Sequence, residues 1–180
     1  MKRLVSYITL AISFLSFVSG EKEKSFQVFL LAGQSNMQGQ GVVDMDHPKY
    51  YNGEKGTLVR VMKESESPEV YKHLKDKNDN WIERGDAFIR HRNKQGVMAG
   101  GVSIGFTGYG SMNSRHHIGP ELQIGHRLGN HFEEPVLLIK TAWGGKSIYK
   151  DFRPPSAGGE TGDYYQRMLM DCLLYTSPSP

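Results

Sequence analysis

Cysteine is almost missing from this sequence: of 180 residues, one is a cysteine, Cys172. A single thiol rules out an intrachain disulfide framework and any zinc site built on several cysteines. Charge of one sign is lacking too. The formal net charge is +3, and Lys2 and Arg3 supply two of those positive groups, leaving +1 for the remainder. The charge balance therefore gives no support to a nucleic-acid surface, and no nucleic-acid partner is expected. No internal repeat or low-complexity tract is present, which excludes a solenoid.

Cofactor signatures are missing as well. Six glycines fall between Gly96 and Gly110, but without the strand-then-helix setting of a dinucleotide fingerprint. A loop shaping a pocket is the expectation there. Gly145-Lys146-Ser147 imitates the close of a phosphate loop, yet Lys140 stands where that motif requires its first glycine. His126 and His131 are five residues apart and do not share a helical face as a zinc pair would. These two, with His116 and His117, are expected at the surface or on a pocket rim. Neither a cofactor nor a metal is expected.

The chain starts with a basic pair, an apolar centre from Leu4 to Val18, and small residues at Ser19 and Gly20. This is the pattern of a secretory signal peptide over 1–20, which would place the protein in a secreted or periplasmic setting. Its apolar centre is short and broken by serines, and Glu21-Lys22-Glu23-Lys24 follows, so no stable membrane span is expected after cleavage. An uncleaved anchor is the alternative. Residues 21–171 form one domain by length. The end, Cys172 to Pro180, resembles a translated adaptor from sequencing-library preparation. If so, these residues are foreign and the natural protein is longer.

Within the domain, the run Val28-Phe29-Leu30-Leu31-Ala32 has five apolar residues and suits a parallel strand covered on both faces. It ends in Gly33-Gln34-Ser35-Asn36-Met37. Ligands of open α/β sheets sit at the carboxyl ends of strands, which puts Ser35 where a nucleophile is useful. The competing account is a helix cap made by serine or asparagine. A second buried strand, Val136 to Lys140, runs into Thr141-Ala142-Trp143-Gly144-Gly145-Lys146. Between them, Gly119-Pro120-Glu121 suits a helix start, followed by Leu122, Gly125, Leu128, Gly129 and Phe132 at helical spacing. Leu58 to Met62 is expected as a further sheet strand. The charged stretch 63–80 is expected to be solvated, with a short helix near Val70 to Leu74. Residues 81–84 and 87–90 are expected as a hairpin inserted beside the sheet.

Three of these blocks, Gly33-Gln34-Ser35-Asn36-Met37, Gly119-Pro120-Glu121 and the Gly144-Gly145 strand end, resemble the sialate O-acetylesterase-type branch of the SGNH hydrolases, a group of carbohydrate esterases. The resemblance implies an α/β fold: a three-layer α/β/α sandwich around a central, mostly parallel sheet, here incomplete at the C-terminus. It implies hydrolysis of an acetyl ester on a sugar, with an acetylated carbohydrate as partner. Ser35 would be the nucleophile. Its amide and that of Gly119 would form the oxyanion hole, and Gln34, Asn36, Trp143, Gly144, Gly145 and Lys146 would line the substrate pocket. For Trp143, an ordinary core position is an equal alternative.

The same resemblance implies a catalytic Asp-x-x-His near the carboxyl end. No histidine follows His131, and no other histidine is assigned to that role. As written, the chain is expected to be inactive. A secreted carbohydrate-binding protein that kept the hydrolase fold without catalysis is the competing reading.

Overall fold

The computed structural model describes residues 25–45, 56–108 and 115–176, with side chains described as far as Leu173. The leader expected over 1–20 and the last four residues of the adaptor-like end lie outside the described residues.

The core is a four-stranded sheet in the order β1 (Gln27–Gly33), β6 (Val136–Ala142), β3 (Ala87–Arg92), β4 (Val97–Gly101). β1 and β3 both run parallel to β6, and β4 closes the far side antiparallel to β3. β2 (Gly41–Val42) and β5 (His117–Ile118) form a small antiparallel pair. Helix α3 (Pro120–His131) packs on the face that presents Leu31, Ile89 and Leu138. Side chains alternate across a strand, so Arg90 points to the opposite face. There it bonds Asp171 of α4 (Asp163–Thr176) at 2.8 Å, with Arg92 on the same carboxylate at 2.8 Å. Helices therefore cover both faces of a mostly parallel sheet, the α/β layering expected of such an alternation.

β6 meets its expectation: six of its seven residues are buried. β1 does not. Leu31 enters the core, but Val28 and Leu30 are 42% and 44% exposed, because β1 is the edge of the described sheet and α4 lies over β6.

Three other expectations are corrected. Leu58 to Met62 is not a strand but the start of helix α2 (Leu58–Glu64). Thr57 caps it by accepting from the Arg60 amide, and Arg60 pairs with Glu64 one turn on at 2.9 Å. Residues 81–84 make no hairpin with 87–90: Trp81 forms an isolated bridge to Lys75, while β3 is an interior strand of the main sheet. The actual hairpin is β3–β4, turned at Asn93, whose side chain accepts from the amides of Gln95 and Gly96. Gly100 and Gly101 of the 96–110 stretch are thus strand and not loop, while Gly96 belongs to the hairpin turn. Gly101 is needed there because a side chain would strike the Arg84 carbonyl.

Near Val70 to Leu74 the chain does turn, as a 3-10 helix over Pro68–Leu74. His117 and His126, expected at the surface or a rim, are buried, whereas His116 and His131 are not. Burial pushes the His126 ring down to about 4, so it is neutral at pH 7.

Candidate active site

Ser35 is the first residue of a one-turn helix, α1 (Ser35–Gln38), set directly on the carboxyl end of β1. The chain doubles back so tightly after the strand that a Cβ on Gly33 would lie 2.8 Å from the Met37 Cβ. Gln34 holds the cap position, and no side chain makes a capping bond, so the cap account of Ser35 does not describe this turn. The Ser35 hydroxyl is half-buried and donates to Gln34 Oε1 at 3.3 Å.

The turn leaves through Gly39, whose φ of +86° belongs to the left-handed region that favours glycine. A Cβ there would also strike the Gly119 backbone. The end of the Ser35 turn and the second block thus meet at Gly39 and Gly119, 80 residues apart in sequence. The third block closes on the same turn. Trp143 donates from its amide to the Gly33 carbonyl at 3.2 Å, and the Gly144 amide donates to Gln38 Oε1 at 2.9 Å. A Cβ on Gly144 would press on Gln38 Oε1 at 2.9 Å and come within ordinary contact, 4.0 Å, of the Ser35 Cβ.

A cleft of about 680 Å³ lies against Ser35, and Trp143, Gly144, Gly145 and Lys146 line it together with Gln38 and Tyr164. Trp143 is both core and wall: it is 7% exposed and meets Tyr164 edge-on at 5.0 Å. Lys146 lies over the Tyr164 ring at 4.5 Å and 3.6 Å from Asp151. Bonding to Tyr164, then the nearby Asp151 carboxylate, holds its ammonium above the usual lysine range. Arg92, Lys94 and Arg167 also border the cleft, and its described lining has no carboxylate.

The remaining sequence candidates lie elsewhere. Asn36 shares a separate shallow cleft with Ser35, Gln40 and Gly41. Gln34 lines neither of these clefts and serves as the acceptor for Ser35. Gly119 borders an apolar pocket with Leu58, Tyr71 and Leu122, and its amide donates to Glu121 Oε1 at 2.8 Å. Gln38, Tyr164 and the arginines join the site without any motif in the sequence to mark them. Gln38 sits one turn after Ser35, which is a legible position, but its partner amide is 106 residues away.

No histidine among the described residues is hydrogen-bonded to Ser35. His116 pairs with Asp44 at 2.6 Å, and the buried His91 ring faces the Lys140 carbonyl at 3.0 Å. Burial pushes His91 down to about 4. The described residues contain no group of three histidine, cysteine or acidic side chains arranged to hold a metal ion. They also contain no helix long and apolar enough to cross a membrane.

No curated protein matches the chain. Among solved structures, a protein from Arabidopsis thaliana known from its X-ray structure is similar at 16% identity and a TM-score of 0.39, over 81% of this chain and 49% of that one. The present chain thus spans about half the length of that relative. A sequence model of one family, described as carbohydrate esterase, sialic acid-specific acetylesterase, matches residues 25–173. That span takes in the Ser35 turn, the start of α3, the Gly144 turn and most of α4, and the chain belongs to the sialic acid-specific acetylesterase family of carbohydrate esterases.

Proposed function

We propose that the full-length protein is an exported serine esterase that removes acetyl groups from carbohydrate, with Ser35 as nucleophile. The observation that carries this reading is the meeting of three distant stretches around the short turn that bears Ser35: Gly119 against Gly39 at its end, and the Gly144 amide on Gln38. In the reaction, Ser35 Oγ attacks the acetyl carbonyl carbon while a histidine base takes its proton. The tetrahedral intermediate collapses, the sugar oxygen leaves with that proton, and water then hydrolyses the acetyl-serine. The amides of Ser35 and Gly119 receive the oxyanion. For Gly119 this requires its amide to be shared between the oxyanion and the Glu121 carboxylate that holds it. Trp143, Gly144, Gly145 and Lys146 form the wall against which the sugar lies, with Gln34 and Asn36 flanking the nucleophile.

On this reading no histidine of this chain is assigned as the base, since none follows His131. A serine without a base is a poor nucleophile, so the 180-residue chain is expected to show little or no turnover. Assaying this chain beside the longer natural protein on an acetylated sugar tests the point. Equal turnover would refute it. A second reading, a secreted carbohydrate-binding protein without catalysis, is favoured by one observation: the Ser35 hydroxyl is bonded to Gln34 and not to a histidine. It requires the natural protein to bind an acetylated sugar and leave it intact.

A further inference from the structure

Lys140 sits in the middle of β6, and its side chain has no solvent exposure. An ammonium in such a place must find acceptors for all three of its protons. It finds them at the Gln38 carbonyl, the Phe106 carbonyl and Glu121 Oε2, at 2.8, 2.8 and 2.6 Å. Glu121 is equally enclosed, and its other oxygen accepts from the Gly119 amide at 2.8 Å. Through one ammonium, the C-terminal end of the Ser35 turn is fixed to the start of α3 and to the segment after β4. Through one carboxylate, the direction of the Gly119 amide is fixed as well.

Gln38 adds the third connection. Its carbonyl is held by Lys140, its side-chain oxygen by the Gly144 amide, and its own amide donates back to the Gln34 carbonyl at 2.8 Å. A well-packed apolar pair would fill the same volume as Lys140 and Glu121 without ordering any of these groups, and buried ion pairs are weak evidence for stability alone.

We propose that Lys140 and Glu121 are positioning residues for the esterase site, setting the Ser35 turn and the Gly119 amide in register with one another. This role rests on the reading of Ser35 as nucleophile, since neither residue borders the cleft itself. Glu121→Gln keeps the shape but leaves one carbonyl oxygen where Lys140 and the Gly119 amide each need their own. A 1 Å displacement in an active site can cost about 100-fold in rate.

The test is steady-state kinetics of the full-length protein on an acetylated sugar. In Glu121→Gln, kcat is expected to fall about 10- to 100-fold with KM within about threefold, the signature of a lost transition-state interaction. The double variant Lys140→Met/Glu121→Gln, which leaves no unpaired charge, is expected to show the same kcat loss while still folded by circular dichroism. Wild-type kcat in either folded variant would overturn the proposal. Ser35→Ala run alongside separates the two failures. If it retains turnover, the nucleophile reading has failed; if it loses turnover, the kcat values of the Lys140 and Glu121 variants decide their role alone.

Discussion

Ser35→Ala in the full-length protein is expected to lower turnover of an acetylated sugar by about 10⁴-fold or more, because on the proposed reading it removes the nucleophile and leaves only binding and oxyanion stabilisation. Stability should change little. The Ser35 hydroxyl is half-buried, makes one long bond to its neighbour Gln34 at 3.3 Å, and caps nothing. Losing such a contact is worth about 0.5 kcal/mol or less. The thermal midpoint therefore stays near wild type while turnover disappears, and this separation distinguishes a chemical role from a structural one. A variant that keeps its turnover would put the nucleophile elsewhere.

Lys140→Met is expected to have the opposite profile for stability. The methionine fills the space, but it leaves Glu121 buried without its counter-charge and the carbonyls of Gln38 and Phe106 without a donor. Breaking a buried pair from one side costs about 3–5 kcal/mol, a large part of the stability of a domain this size. Urea unfolding of the chain and its variant measures this, and the double variant Lys140→Met/Glu121→Gln should recover much of the loss.

The deficit should also depend on pH. Burial already raises the Glu121 carboxyl above the usual range, with Lys140 pulling it back. Without the lysine it rises further. A folded-state value above the unfolded one favours the fold below the unfolded pKa and loses that contribution as pH rises through the folded value. The single variant should thus be least impaired at acid pH and progressively more so toward neutrality and beyond. A deficit that is flat with pH would show that Glu121 is not the group left stranded.

What can be read from the residues alone follows a physical division. β6 and the start of α3 are legible because their signals are local: a continuous apolar run, and glycine before proline at a helix start. The Ser35 turn is legible for the same reason. Leu58 to Met62 misleads because five mostly apolar residues suit either a strand or a helix, and the decisive feature is Thr57, a cap just outside the run. β4 is hidden by its glycines, since its pairing partners lie on β3 and only that long-range contact makes a strand of it.

In the site, Trp143, Gly144, Gly145 and Lys146 can be placed near Ser35 because they end a strand parallel to and beside β1. The part played by Lys140 cannot. In the sequence it is only the residue that spoils a phosphate loop, and its acceptor Gln38 is 102 positions away. Lysine in a buried strand is the available sign, and only the fold shows that its acceptors come from three separate segments.

The most direct measurement is the identity of the residue that becomes covalently modified. Full-length protein treated with a phosphonofluoridate, digested and sequenced by mass spectrometry should carry the adduct on Ser35, with loss of turnover in proportion to labelling. An adduct on any other residue, accompanied by the same loss of turnover and an unmodified Ser35, would contradict the account.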